Sequence, residues 1–183
     1  MLIRVRELEL RKLEFDENFQ PGVIEFGPEF RQNGPLHCEG RAELIVEHRG
    51  HHQDVEDIRL VGSVQAKLEI NCARCLEPVA HEVDKTFDLI YRPQGVDRRA
   101  DEASISEAET EIGYYQGEGL QLEDVLREQV LLASPVRALC REDCRGLCPH
   151  CGRNLNVEQC TCEEHVSDPR WDALSEIKKK LQS

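Results

Sequence analysis

The chain has 183 residues, and its 23 basic and 36 acidic residues give a formal net charge of −13. A domain usually contains about 100–200 residues, so we expect one domain with at most a small appendage. Broad nucleic-acid binding depends on clustered Lys and Arg, and the acidic balance argues against it. No apolar run approaches the roughly 20 residues that span a bilayer, and the N-terminus lacks the apolar core of a signal peptide. We therefore expect a soluble cytoplasmic protein with no membrane partner.

Apolar and polar residues alternate over much of residues 1–92, which predicts β-strands. Residues 1–15 are expected to form one strand with a phase slip near Glu7, which could be a bulge. Residues 16–35 are expected to be irregular because they are rich in Pro and Gly. Three further strands are predicted over residues 36–48, 57–70 and 79–91. Their short connections, including a hairpin loop at 49–54, favour antiparallel pairing.

The composition changes after the last predicted strand. Residues 93–112 are polar and acidic and predict a surface loop. Residues 120–133 predict a helix that ends before Pro135 and buries one apolar stripe, formed by Leu122, Val125, Leu126, Val130 and Ala133. A second short helix is expected to open at Asp168-Pro169. The fold class is therefore α+β, with a β-rich body over 1–135 and a cysteine-rich segment with a C-terminal helix over 136–183.

Nine cysteines are the most unusual feature of the composition. In a reducing compartment, clustered cysteines indicate metal binding or redox chemistry more often than disulfides. Eight of them form four pairs, which are Cys72/Cys75, Cys140/Cys144, Cys148/Cys151 and Cys160/Cys162. A close pair supplies two thiolates, which is half of a tetrahedral zinc site. The pairs therefore predict one or two structural zinc ions, and Cys38 is left over as a buried strand residue.

The four pairs can combine into two sites in three ways. We favour a local second site from Cys148, Cys151, Cys160 and Cys162, because these two pairs are separated by one polar turn. The first site would then contain Cys72, Cys75, Cys140 and Cys144, and would close a large loop between distant parts of the chain. His150 could replace one cysteine, although it is more readily a spacer. A redox dithiol at Cys72/Cys75 is the alternative, but such pairs usually open a helix and here a strand follows.

Catalytic patterns are not recognisable in the sequence. Residues 113–119 are rich in glycine but lack the strand and the Lys-Ser/Thr of a phosphate loop, so we expect a turn that packs Tyr114 and Tyr115 on the sheet. A hydrolytic zinc needs an open coordination position, whereas a site of four cysteines is closed. We therefore expect no enzyme activity and no small-molecule substrate.

Several of these motifs together carry a family resemblance. The segment from Cys72 to Pro78, the Tyr91-Arg92-Pro93 sequence, the helix with the following cysteines, and Asp168-Pro-Arg-Trp171 resemble the YceD-like family, the large ribosomal RNA subunit accumulation proteins. The resemblance extends from about residue 36 to the end of the chain. It implies a non-enzymatic role in the accumulation of large-subunit rRNA. It also fits the first site above, since some members lack the second cysteine group.

The expected partners are the large-subunit rRNA precursor and/or a basic ribosomal protein. The net charge favours a basic protein, and the acidic residues 93–112 are a candidate contact, although a solvated linker explains them as well. Direct RNA binding would need a local positive patch, for which Arg141, Arg145, Arg153 and the Lys178–Lys180 run are candidates beside a zinc knuckle.

Two other functional classes remain open at this point. A zinc-ribbon nucleic-acid-binding regulator would need a clustered basic face, which the composition disfavours. A thiol-based redox sensor or holdase would release metal when its cysteines are oxidised.

Overall fold

A computed structural model describes residues 1–48, 54–96 and 112–162. Its elements in chain order are β1 (Leu2–Arg4), α1 (Val5–Leu8), β2 (Leu13–Phe19), β3 (Phe30–Gln32), β4 (Leu36–His48), β5 (Asp54–Asn71), β6 (Pro78–Pro93), β7 (Ile112–Tyr115), β8 (Gly119–Gln121) and α2 (Leu122–Ala133). The expected α+β class is confirmed. The tip of the predicted hairpin at 49–53, most of the acidic segment 93–112, the predicted C-terminal helix and the Lys178–Lys180 run lie outside the described residues.

One six-stranded sheet forms most of the structure. Its strand order is β2-β4-β5-β6-β7, and β3 pairs with the end of β5. The pairing is antiparallel throughout, as expected, except that β7 runs parallel to β6. The three strands predicted over 36–48, 57–70 and 79–91 are confirmed as β4, β5 and β6. A second, two-stranded sheet pairs β1 with β8.

The prediction of a single strand over residues 1–15 is wrong. The phase slip near Glu7 marks the short helix α1 and the turn after it, and these separate β1 from β2. Leu8 of α1 is buried, so this helical turn still contributes an apolar side chain to the core. The two strands then join different sheets. Residues 16–35 are also less irregular than expected, because β2 extends to Phe19 and β3 lies within them.

The main core lies between the sheet and α2. Strand β5 contributes alternate buried side chains from Ile58 to Ile70, while the residues between them are mostly polar. The predicted stripe of α2 is confirmed, since Leu122, Val125, Leu126 and Val130 are buried and Ala133 packs against the same core. The alternation in the strand and the 3.6-residue period in the helix therefore bury their apolar faces against each other. Among the described residues, no helix has the length and apolar character needed to cross a bilayer.

Two opposed glycines allow two aromatic rings to pack across the sheet. Gly40 on β4 faces Gly62 on β5, with Phe15 and Phe87 as their outer neighbours in the same row. A Cβ atom on Gly40 would lie 2.7 Å from the ring of Phe15, and one on Gly62 would lie 3.1 Å from the ring of Phe87. Both phenylalanines are buried. The glycines are therefore needed for close packing on the core face.

A buried ion pair joins β5 to β6 near the parallel strand. The guanidinium of Arg92 donates to both carboxylate oxygens of Asp57, at 3.0 and 2.8 Å, and also to Glu47 at 2.8 Å. Tyr115 on β7 is buried nearby and donates its hydroxyl hydrogen to the backbone oxygen of Glu56. Tyr114 is half exposed. The tyrosine segment therefore adds a strand to the sheet. Tyr115 packs into the sheet as the sequence suggested, whereas Tyr114 is more exposed than expected.

Candidate metal centre

The first cysteine group joins the turn between β5 and β6 to the segment that follows α2. Cys72 and Cys75 flank that turn, in which the Leu76 N–H donates to the Cys72 carbonyl and the Cys72 N–H donates to that of Glu77. Leu76 adopts the left-handed conformation with φ of 64°, which closes the turn. Cys140 and Cys144 lie after the C-terminus of α2. The structure therefore brings together two pairs that are far apart in sequence, in the combination favoured above.

The four sulfur atoms of this group lie within 4.8 Å of one another. The Sγ atoms of Cys72 and Cys144 are 3.9 Å apart, and those of Cys75 and Cys140 are 3.6 Å apart. Tetrahedral zinc with Zn–S bonds of about 2.3 Å has sulfur–sulfur edges of about 3.8 Å. Cys72, Cys75 and Cys144 are buried, and Cys140 is exposed. This donor set and spacing fit a closed structural metal site.

Arg74, within the first Cys-x2-Cys turn, holds the two halves of the site together. Its guanidinium donates to the backbone oxygens of Glu142 and Cys144, at 3.1 and 2.8 Å. Its own carbonyl accepts the N–H of Leu147. Gly146 is required beside it, because its φ is +75° and a Cβ atom there would lie 3.0 Å from the Arg74 carbonyl oxygen. The cysteine spacing therefore positions the ligands with help from residues that are not ligands.

Backbone donors prepare one thiol of each group for metal binding. Burial opposes ionisation of Cys72, but the N–H groups of Arg74, Cys140 and Cys75 outweigh it and lower the pKa of the Cys72 thiol to about 6. At Cys148, the N–H groups of Cys151 and His150 dominate and also lower its pKa to about 6. Each group therefore contains a thiolate at neutral pH, which is the form that binds metal.

The other thiols include two whose protons are held more tightly. Desolvation of its sulfur atom and then the neighbouring thiols Cys144 and Cys75 raise the pKa of Cys140 to about 12, although the residue as a whole is exposed. Neighbouring thiols, Cys160 first, also raise the pKa of Cys162 to about 12. Metal binding must displace these protons, so metal affinity will fall as the pH decreases.

The second cysteine group is formed by the local pairs Cys148/Cys151 and Cys160/Cys162. Its sulfur atoms also lie within 4.8 Å of one another, with 3.3 Å between Cys148 and Cys160 and 3.6 Å between Cys151 and Cys160. The first turn is closed by the Gly152 N–H, which donates to the Cys148 carbonyl. This group is more accessible than the first, because Cys151 and Cys162 are exposed.

The remaining sequence candidates take other positions. His150 donates its backbone N–H to the sulfur of Cys148, and its imidazole is not part of the four-sulfur group. Cys38 is fully buried on β4 within the main core, and burial raises its pKa to about 11. All nine cysteines are free thiols. Cys38 is therefore a packing residue, as expected.

The three arginines suggested for RNA binding lie in or beside the cysteine segment, but two have acidic neighbours. Arg141 donates to the Asn156 side-chain oxygen at 2.8 Å and lies 3.5 Å from the Asp143 carboxylate. Arg153 lies 3.6 Å from the carboxylate of Glu158. These carboxylates offset part of the positive charge that a phosphate would meet.

Sequence reasoning missed two asparagines, Asn154 and Asn156, that lie within the second cysteine group. The Asn156 side-chain N–H donates to the Cys144 sulfur at 3.3 Å, and the Asn154 side chain donates to the Glu77 carboxylate at 3.3 Å. Both residues belong to the polar turn that separates the pairs of the second group. Single polar residues in a loop have no periodic signal, so only their position next to the cysteine pairs could have drawn attention to them.

Comparison with known proteins identifies the family. The sequence model described as large ribosomal RNA subunit accumulation protein YceD matches residues 60–178, which is more than half of the chain and includes all eight paired cysteines. This chain belongs to the YceD family. The resemblance inferred from the cysteine and Tyr-Arg-Pro motifs is thereby confirmed.

Curated relatives occur in bacteria and plants. An uncharacterized protein of Mycobacterium tuberculosis is 35% identical over 67% of this chain and 56% of its own length. One of Mycobacterium leprae is 28% identical over 85% of this chain and 62% of its own length. An Arabidopsis thaliana protein named large ribosomal RNA subunit accumulation protein YCED homolog 1, chloroplastic, is 24% identical over 68% of this chain and 46% of its own length. The chain thus spans less than two thirds of these relatives. No solved structure matches it.

Proposed function

We propose that this chain is a non-enzymatic ribosome-biogenesis factor that promotes the accumulation of large-subunit rRNA and binds two structural zinc ions. The observation that carries the proposal is the YceD family match, which spans both cysteine groups. The Arabidopsis and Zea mays relatives carry the name large ribosomal RNA subunit accumulation protein. The proposed site of action is the cytoplasm, whose reducing conditions keep thiols available for metal.

The metal would act by attaching the segment after α2 to the turn between β5 and β6. The first group would hold zinc through Cys72, Cys75, Cys140 and Cys144, and the second through Cys148, Cys151, Cys160 and Cys162. Zinc bound by four thiolates supplies a cross-link with no position left for a substrate. The chain's own residues keep these sulfurs in place, since Arg74 and Gly146 join the two halves of the first site. This arrangement supports a structural role over catalysis.

The test of this function is the ratio of large- to small-subunit rRNA in cells depleted of the protein. We expect the ratio to fall, and to be restored by the wild-type protein but not by Cys72→Ser, which removes one ligand of the first site. Cys38→Ala is the matched control, because it removes the one cysteine outside the two groups and should restore the ratio. An unchanged ratio after depletion would contradict the proposed function.

We further propose that the direct partner is a basic ribosomal protein. The solvent-facing side of the six-stranded sheet carries exposed acidic residues on three strands, which are Glu14, Asp16, Glu39, Glu82 and Asp84. The same side also carries Arg41, the register partner of Glu14, and Lys67, which lies 3.5 Å from Glu82. Such a face attracts a cationic partner and repels phosphate. Arg141 and Arg153 have acidic neighbours, which offset part of the positive charge in the described cysteine segment.

Crosslinking in cells distinguishes the two kinds of partner. We expect Glu14→Lys combined with Asp16→Lys and Glu39→Lys to reduce crosslinks to ribosomal proteins by about tenfold, because opposite charges then become like charges. Arg145→Glu combined with Arg153→Glu serves as the comparison and should leave crosslinking to both RNA and protein unchanged. Loss of RNA crosslinks in the arginine variant would favour direct rRNA binding instead.

A further inference from the structure

The loop of the second cysteine group folds back onto the first group. This loop runs from Gly152 to Gln159, between the two pairs of the second group. The Leu155 N–H donates to the carbonyl of Gly146, and Asn154 forms an antiparallel bridge with Leu147. Both contacts lie in the segment that connects Cys144 to Cys148. The two groups therefore share one small block of backbone.

Asn156 lies at the centre of that block and uses both ends of its amide. Its side-chain nitrogen donates to the Cys144 sulfur at 3.3 Å and to the Asn154 side-chain oxygen at 2.9 Å. Its oxygen accepts the backbone N–H of Arg145 at 2.8 Å and a guanidinium hydrogen of Arg141 at 2.8 Å. The amide thus contacts a ligand of the first group and the turn that holds that ligand. It is partly buried, which limits competition from water.

The ends of the loop are ligands of the second group. Cys151 precedes the loop and Cys160 follows it, and their sulfurs are 3.6 Å apart. A metal bound there would restrict the loop to the conformations that keep both ends together, and so would lower the entropy lost when Asn156 is held in place. Hydrogen bonds to a metal-bound ligand orient it and typically change metal affinity by about 10–100-fold.

We infer that Asn156 couples the two cysteine groups, so that metal bound at the second group strengthens metal binding at the first. Asn156 is a positioning residue, since it acts through the Cys144 thiolate and is not itself a ligand. The inference rests on the metal binding proposed above and is independent of the ribosomal role. Because coupling between two binding sites is reciprocal, metal at the first group also strengthens binding at the second by the same factor.

The test measures zinc affinity in the purified full-length chain by competition with a chromogenic chelator. Cys160→Ser combined with Cys162→Ser removes the second site, and Cys72→Ser combined with Cys75→Ser removes the first. Asn156→Asp keeps the oxygen that accepts from Arg145 but loses the N–H directed at Cys144. Val157→Ala is the control. Val157 follows Asn156 in the chain, its side chain is exposed, and no described side-chain contact joins it to either cysteine group.

We expect the first site to lose about tenfold or more in affinity both in Asn156→Asp and when the second site is removed. Once the second site is removed, Asn156→Asp should cause a smaller further loss than it does in the wild-type chain. Val157→Ala should match the wild type. Cobalt absorption should still report four thiolates at the first site in each folded variant that retains Cys72 and Cys75, so that a loss of affinity is not a change of ligands.

Two outcomes would overturn the inference. If both sites bind zinc with affinities that neither Asn156→Asp nor removal of the other site changes, the sites are independent, and the zinc part of the proposed function stands. If the full-length chain binds no zinc at either group, the inference and the proposed zinc sites fail together. The rRNA ratio in depleted cells is a separate measurement, so its result does not decide this one.

Discussion

Arg92, which belongs to the Tyr-Arg-Pro motif of the family resemblance, forms a buried ion pair with Asp57 in the fold. Its side chain and that of Asp57 are 5% and 6% exposed, and they form a two-point ion pair between β5 and β6. A buried charge that loses its partner is costly, because water cannot replace the lost interaction. Arg59 and Asp88 form the same kind of pair between the same strands, but they are 38% and 50% exposed.

These two pairs allow a matched prediction. We expect Arg92→Met to lower the free energy of unfolding by about 3–5 kcal/mol, because Asp57 is left charged and buried. Arg59→Met should lower it by less than about 1 kcal/mol, because Asp88 remains in contact with water. Urea unfolding followed by circular dichroism measures both. Equal losses in the two variants would contradict the structural explanation.

The metal ligands show how far single residues can be predicted. The spacing of the cysteines was sufficient to group eight of them into four close pairs, since each pair offers two sulfurs on one side of a turn, and it favoured one of the three ways of combining those pairs. Arg74, Gly146 and Asn156 could not be predicted in the same way. Their roles depend on backbone atoms that belong to distant segments, and such contacts leave no pattern in the neighbouring sequence.

Among the elements, the segment after α2 depends on the first cysteine group for its attachment. Cys72, Cys75 and Cys144 form a small apolar cluster with Val79, Leu139 and Leu147, separate from the main core. The main core contains the apolar residues of the sheet and of α2. A cross-link between Cys72 and Cys144 closes a long loop, and such a link restricts the unfolded chain strongly.

Removal of zinc by a chelator should therefore loosen the segment after α2 and leave the six-stranded sheet in place. We expect amide hydrogen exchange in residues 138–162 and in the Cys72–Cys75 turn to increase at least tenfold when zinc is removed, with little change in β4, β5 and β6. Mass spectrometry of the exchanged peptides measures this, and adding zinc back should restore protection. Uniform acceleration across the sheet would show that the metal supports the whole fold.

The N-terminal elements show why a local pattern can mislead. Residues 1–15 alternate well enough to predict one strand, but the register changes where α1 inserts a helical turn. A phase slip looks the same in sequence for a bulge and for one turn of helix, because both shift the alternation. The packing of Leu8 into the core decides between them.

At the scale of the molecule, part of the net charge of −13 lies on the open face of the sheet. The YceD family match covers residues 60–178, and so includes most of β5, all of β6 and both cysteine groups. The proposed basic partner would meet the sheet face, while the metal would hold the segment after α2 against the turn between β5 and β6.

The sequence by itself determined the strand-rich body, the stripe of α2, the four close cysteine pairs and the family resemblance. Each of these depends on residues that are close in the chain or on a regular period. Only the tertiary structure decided that β7 joins β6 in parallel, that β1 pairs with β8, and that Asn156 reaches the first cysteine group. These contacts join segments that are distant in sequence or lie across a turn. They are stabilised by packing and hydrogen bonds between those segments, which a local periodic pattern does not predict.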